Sequence, residues 1–140
     1  MADLLRNSDV AMYSVKKQGS NSSLLYRPSL AGKGREKIEL ESALHKAIER
    51  DELHLVYQPK VDIGTGQIVG SEALLRWTQP HLGVIPPVRF IPIAEETGLI
   101  VPFGEWALVT AATQAASWVA NGLDPVRVAV NIPGSHFQRP

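Results

Sequence analysis

A carboxylate and a guanidinium lie four positions apart in the segment SEALLRWTQP, residues 71–80. Alternate side chains of a β-strand share a face, so Glu72, Leu74 and Arg76 would point to the same side of a sheet. Carboxylate oxygens suit Mg²⁺ or Mn²⁺, and a guanidinium suits phosphate oxygens. The pattern is therefore consistent with a cation ligand beside a phosphate clamp. A structural ion pair near a strand end is the alternative, and spacing alone favours neither.

Two amide side chains stand where apolar segments end. Gln58 precedes Pro59, which cannot donate to a strand partner, so the strand ends or bulges there. Gln58 could contact a base edge, and the alternative is a solvated side chain. Asn131 ends VRVAVNI, and the carboxyl ends of parallel strands are where ligands bind. The alternative for Asn131 is the start of a turn that Pro133 and Gly134 complete.

Other reactive residue types form no recognisable site. The absence of cysteine excludes disulfides, thiolate zinc sites and cysteine nucleophiles. The segment Gly32-Lys33-Gly34 lacks the flanking residues of a phosphate-binding loop. The four histidines include no pair spaced like metal ligands on one element: His45, His54, His81 and His136.

Composition narrows the class of protein. The 140 residues include 14 Lys plus Arg and 14 Asp plus Glu, and 44% are hydrophobic. A net charge of zero argues against nonspecific binding to DNA, RNA or anionic membranes. No signal peptide or spanning apolar segment is visible, so we expect a cytoplasmic chain without a membrane segment. The length is also too short for a complete (β/α)8 barrel, which needs about 250 residues.

Hydrophobic periodicity predicts the elements that must position these side chains. Helices alternate with strands after a linker, which indicates an α/β sheet. The two central strands are joined by a glycine-bearing turn and predict an antiparallel hairpin. The predicted elements are a helix at 3–17, a strand at 22–26, a linker, a helix at 35–50, strands at 53–63 and 67–77, a loop at 78–86, helices at 88–97 and 103–121, and a strand at 126–132.

The segment SEALLRW, with VYQPKVDIGTGQIVG before it and PPVRFIPIAEETGLI after it, resembles the EAL domain. This bacterial family of cyclic di-GMP phosphodiesterases is named for the motif found here as Glu72, Ala73 and Leu74. The resemblance runs from about Ile38 to Pro140 and includes VNI in the place of the family's Val-Asn-Leu-Ser. It implies the first half of a TIM-type (β/α)8 barrel whose first strand is antiparallel.

The amino-terminal part is similar to the end of a GGDEF (diguanylate cyclase) domain. The matching positions are Ser8, Asp9, Ala11, Tyr13, Val15, Lys16, Gly19, Ser20 and Asn21, of which Ser8, Val15 and Ser20 depart from the family pattern. The two resemblances together imply the end of a GGDEF domain at 1–27, a linker at 28–34 and a truncated EAL domain at 35–140. Since the signature loop and catalytic half of the GGDEF domain are missing, no cyclase activity is expected.

The EAL resemblance implies hydrolysis of one phosphodiester of cyclic di-GMP to linear pGpG with Mg²⁺ or Mn²⁺. Its metal ligands correspond to Glu72 and Asn131. Its substrate-binding positions correspond to Gln58, Leu74, Arg76 and Pro87. The sequence departs from the family at Pro133, where a serine is usual, and at Gln79, where a histidine is common.

The family's remaining metal carboxylates, its catalytic lysine and its general-base glutamate lie further along the domain. No catalytic residue is therefore expected in this chain, and we expect the 140 residues alone to be inactive. The resemblance implies that the full-length protein is an enzyme, a cytoplasmic homodimer whose membrane anchor, if it has one, precedes Met1. The alternatives are a non-catalytic EAL module that binds cyclic di-GMP or a protein partner, and a short protein that completes its fold by dimerising or by docking on another chain.

Overall fold

A computed structural model describes Ser8, Met12, Ser23 and residues 28–134 of the chain. The chain divides into two units, residues 1–42 and residues 43–140. Most of the predicted helix at 3–17 and strand at 22–26 lies outside the described residues. Of the three that are described, Ser8 and Met12 are helical, and Ser23 is in neither a helix nor a strand. All the predicted site residues belong to the second unit.

The first helix of the described region, α1, spans Pro28–Leu44. The sequence predicted that this helix begins at Arg35, and that start was wrong, because the helix begins seven residues earlier, at Pro28. A proline suits the first position of a helix because its missing N–H would have no partner there. Gly32 and Gly34 are then carried inside the helix although each costs about 1 kcal/mol relative to alanine.

The same helix also ends earlier than predicted, at Leu44 instead of Arg50. Residues 45–50 form turns in which the N–H of Lys46 bonds to the carbonyl of Ala43 at 3.1 Å. Asp51 then takes a left-handed conformation, with φ of 53°. The apolar periodicity continues through these tighter turns, which is why the pattern did not mark the end of the helix.

Strands β1 (Leu53–Val61) and β2 (Ile68–Gln79) form the predicted antiparallel hairpin, with Gln58 opposite Glu72. The turn between the strands is closed by Asp62, whose Oδ1 accepts bonds from the N–H of Thr65 at 2.8 Å and from its hydroxyl at 2.9 Å. These bonds, the backbone one first, lower the pKa of Asp62.

Strand β2 is the centre of the sheet. Strands β3 (Gly83–Ile85) and β4 (Arg127–Val130) pair with opposite ends of its second edge, β3 antiparallel and β4 parallel. The predicted loop at 78–86 is therefore partly strand. Its turn is closed by the side chain of Gln79, whose Oε1 accepts the N–H groups of His81 at 2.6 Å and Leu82 at 2.7 Å.

Helices α2 (Pro87–Thr97) and α3 (Ile100–Ala120) follow β3. Helix α2 begins at a proline and ends before Gly98, whose φ of 75° favours glycine. Helix α3 starts three residues before its predicted start because Pro102 fits the first turn, where N–H groups lack helical partners. Among the described residues, no helix is both long enough and apolar enough to cross a bilayer.

The two helices and one face of the sheet share the core. Trp77 is fully buried, with its ring edge-on to that of Phe90 at a centroid distance of 5.7 Å. Its indole N–H donates to the buried carboxylate of Glu52 at 3.0 Å. Because side chains alternate along β2, burying Trp77 and Ala73 in this core turns Glu72 and Arg76 to the opposite face.

Candidate functional site

The carboxylate of Glu72 and the amide of Asn131 are in contact, although 59 residues separate them in the sequence. The parallel register pairs Glu72 with Ala129, and Asn131 follows immediately after β4. The Nδ2 group of Asn131 donates to Oε1 of Glu72 at 2.9 Å. The structure thus brings together the two residues that the sequence proposed as cation ligands.

The ammonium group of Lys60 contacts the other oxygen of the same carboxylate. Its Nζ lies 3.4 Å from Oε2 of Glu72, in a pair whose side chains are 52% and 30% exposed, respectively. The sequence interpretation missed Lys60. The available signal was its place in VYQPK, two residues beyond Gln58 and therefore on the same face of β1.

Both neighbours favour the ionised form of Glu72. The hydrogen bond from Asn131 has the largest effect, and the hydrogen bond and positive charge of Lys60 add to it. Together they lower the pKa of Glu72 below its usual value. The carboxylate is therefore ionised at neutral pH, as a cation ligand must be.

Arg76 faces the same side of β2 but makes a different contact. Its Nη1 donates to the carbonyl of Leu75 at 2.9 Å, and the side chain is half-buried. The ionic partner of Glu72 is Lys60. The simple alternative of a Glu72–Arg76 structural ion pair is therefore not what forms, and among residues 28–134 the carbonyl of Leu75 is the one hydrogen-bond partner of the guanidinium.

A cavity of about 350 Å³ adjoins Arg76 at the end of β2. Four of the six predicted site residues line it: Leu74, Arg76, Pro87 and Asn131. Most of the other lining side chains are apolar, and Glu95 adds a carboxylate. Pro133, which replaces the family's usual serine, also lines the cavity and so contributes an apolar wall instead of a hydroxyl.

Gln58 and Glu72 do not line that cavity, although they lie directly opposite each other in the hairpin register. Gln58 is exposed. The predicted residues thus form two adjoining groups: a polar cluster of Gln58, Lys60, Glu72 and Asn131, and a mainly apolar cavity that contains Arg76. Asn131 belongs to both.

A sequence profile described as "EAL domain" matches residues 41–140. The chain belongs to the EAL domain family. Over 135 residues it is 42% identical to "Bifunctional diguanylate cyclase/cyclic di-GMP phosphodiesterase MucR" of Pseudomonas aeruginosa, a match that spans 96% of this chain and 20% of that protein. Over 129 residues it is 41% identical to "Cyclic di-GMP phosphodiesterase PdeR" of Escherichia coli, which spans 92% of this chain and 19% of that protein.

Solved EAL structures agree with the architecture. The structure described as "PaMucR Phosphodiesterase, c-di-GMP complex" superposes with a TM-score of 0.68 and 44% identity, over 72% of this chain and 41% of that one. The expected fold class, a mixed α/β fold of the EAL type with an antiparallel first strand, is confirmed. The chain spans about a fifth of the length of the curated relatives named above.

The donor set of this EAL domain fits a hard divalent cation in part. A carboxylate and a side-chain amide oxygen are both ligands that Mg²⁺ accepts. Turning the amide of Asn131 about its last bond would exchange Nδ2 for Oδ1 beside Glu72. The described residues contain no group of three or more His, Cys, Asp or Glu side chains that could hold a metal ion. Glu72 and Asn131 are therefore a partial ligand set.

Proposed function

We propose that this chain is the amino-terminal part of the EAL domain of a cyclic di-GMP phosphodiesterase, whose product is linear pGpG. The observation that carries the proposal is the 2.9 Å contact between Asn131 and Glu72. It supports a shared cation site at the carboxyl end of β4, beside β2, and α/β folds bind their ligands at the carboxyl ends of strands. The relatives MucR and PdeR, whose names include this activity, support the choice of substrate.

Each side chain has a role in this proposal. Glu72 and Asn131 hold Mg²⁺ or Mn²⁺, which when bound activates water and neutralises phosphate charge. Arg76 binds a phosphate of the substrate through guanidinium donors that its bond to Leu75 leaves available. Leu74 and Pro87 supply apolar walls of the adjoining cavity, which orient the ligand. Gln58 contacts the substrate beside Glu72.

The rest of the catalytic apparatus belongs, in this proposal, to the part of the EAL domain that follows residue 140. The chain covers 41% of the solved PaMucR phosphodiesterase chain, so much of that structure has no counterpart here. The additional carboxylate ligands, the catalytic lysine and the general-base glutamate come from that part. The 140 residues alone are accordingly inactive.

We place the end of a GGDEF domain at residues 1–27 and a connecting segment at 28–34. The match to MucR spans 96% of this chain and so extends well before residue 41, where the EAL match begins. MucR is named as both a cyclase and a phosphodiesterase, which supports the tandem order. The full-length protein is in this proposal a cytoplasmic homodimer.

The test is metal-dependent formation of pGpG by the full-length protein and its Glu72→Ala variant. We expect Glu72→Ala to abolish hydrolysis with an unchanged thermal midpoint, because the side chain is partly exposed and its partners Lys60 and Asn131 are exposed and can be solvated. Glu49→Ala removes a carboxylate from an exposed turn and is the matched control. Near-normal turnover by Glu72→Ala would show that this carboxylate holds no essential cation.

A non-catalytic cyclic di-GMP module is the second candidate function. The specific observation in its favour is that Arg76 and three other predicted site residues line one cavity, whereas Glu72 does not line it. Substrate binding could therefore be kept without hydrolysis. If the full-length protein binds cyclic di-GMP, with Arg76→Ala weakening the binding, but forms no pGpG with either metal, this second function is correct.

A further inference from the structure

We propose that Lys60 is a built-in counter-cation of the metal site: it occupies Glu72 when no metal is bound, and the divalent cation must displace it. Lys60 would thereby set how tightly the site binds metal. The inference rests on the proposed function, in which Glu72 and Asn131 are cation ligands. Lys60 was not among the predicted site residues. The pairing of β1 with β2 places its ammonium group beside the carboxylate of Glu72.

Both oxygens of Glu72 already have partners. Oε1 accepts the amide of Asn131 at 2.9 Å, and Oε2 lies 3.4 Å from the ammonium of Lys60. A cation that binds this carboxylate must compete with at least one of them. The amide of Asn131 carries both a donor and an acceptor, so rotation turns it from a partner of Glu72 into a ligand. An ammonium group has donors only, so Lys60 cannot become a ligand, and a cation that binds Oε2 displaces it.

The hairpin register holds Lys60 in this position. Lys60 pairs with Gly70, so Glu72 is its diagonal neighbour on the same face. Gly70 has no side chain to separate them. A bulge follows immediately, between Lys60 and Val61, and bulges commonly redirect side chains near functional sites. The strand pairing thus places the two side chains next to each other.

Lys60 is also able to withdraw. Its side chain is 52% exposed, so water can solvate the ammonium group once it leaves the carboxylate. A cation held by Glu72 would place two positive charges beside that group, and the repulsion weakens metal binding. Removing the charge of Lys60 should therefore tighten metal binding instead of weakening it, which is opposite to the effect of removing a ligand.

The experiment is calorimetric titration of Mn²⁺ into the full-length protein without substrate. We expect Lys60→Met to bind Mn²⁺ about fivefold more tightly, the scale of one partly exposed ion pair. Lys60→Arg keeps the charge and should retain the original affinity. Lys46→Met removes an exposed positive charge from the turns that precede β1, seven residues before the strand begins, and should change nothing.

The outcomes separate this inference from the function on which it rests. Tighter binding in Lys60→Met alone supports the counter-cation role. Unchanged binding would overturn that role, and weaker binding would show that Lys60 positions the carboxylate for the metal. If the unaltered protein and every variant fail to bind Mn²⁺, the metal assignment of the proposed function is itself wrong.

Discussion

The contact between Asn131 and Glu72 can be tested by two substitutions that remove different properties of one amide. Asn131→Ala removes both the donor that now bonds to Glu72 at 2.9 Å and the oxygen that would bind metal. Asn131→Asp removes the donor but keeps a ligand oxygen. The side chain is exposed, so neither change should unfold the domain.

We expect alanine to weaken metal binding, and aspartate to leave it unchanged or to strengthen it. For Asn131→Ala we expect metal affinity to fall by at least about tenfold, since losses of 10–100-fold follow removal even of outer-sphere partners. In Asn131→Asp, two carboxylates would lie about 3 Å apart without metal. Their repulsion in water corresponds to about tenfold in an equilibrium constant, and a divalent cation relieves it. The aspartate variant should thus bind Mn²⁺ as tightly as the unaltered protein, or up to about tenfold more tightly.

The assay is Mn²⁺ titration of the full-length protein, followed by measurement of pGpG formation at saturating metal. Asn121→Ala is the matched control, because it removes an exposed asparagine that bonds to Ser117 at the end of α3. If Asn131 acted only as a donor to Glu72, alanine and aspartate would weaken metal binding alike. That result would refute its role as a ligand.

Three further results are expected. Arg76→Ala should weaken cyclic di-GMP binding about tenfold or more while changing the turnover rate less, as measured by KM against kcat, because it removes a charge-assisted phosphate contact. Phe90→Ala should lower the free energy of unfolding of the domain by about 3–5 kcal/mol in urea, since the ring is fully buried against Trp77. Thr65→Val should raise the pKa of Asp62, followed by NMR, but leave it below its usual value because the backbone bond persists. The depressed pKa means that Asp62 stabilises the hairpin above its unfolded pKa and loses this effect as pH falls through the folded pKa.

The sequence predicted the helices and strands correctly where the turn-forming residues and the hydrophobic pattern indicated the same structure. The turn at Gly64-Thr65-Gly66 and the alternation on either side were sufficient for the hairpin. Around α1 the local residue types were misleading, because residues 28–34 carry proline, glycine and serine yet are helical. Intrinsic propensity is a weak guide when the segment is continuous with a longer helix, as it is here through Leu44. Strand β3 was missed because three residues carry too little periodicity, and Gln79 closes its turn through side-chain bonds.

The sequence could predict which side chains of β2 share a face, because side chains alternate along a strand whatever strands pair with it. It correctly separated Glu72, Leu74 and Arg76 from the buried Trp77. The partners of Glu72 were a different matter, since they depend on register across two strand pairs. Asn131 could be suggested only from its position at a strand end.

Lys60 shows most directly what strand pairing adds to a sequence pattern. Read along the chain, it is an ordinary lysine next to a proline, 12 positions from Glu72. Read across the hairpin, it is the diagonal neighbour of that carboxylate, and its ammonium group lies 3.4 Å from Oε2. A one-residue slip in the hairpin register would turn Lys60 to the other face of the sheet and leave Glu72 without it. The electrostatics of the site are therefore set by the pairing of β1 with β2 as much as by the identity of the ligands.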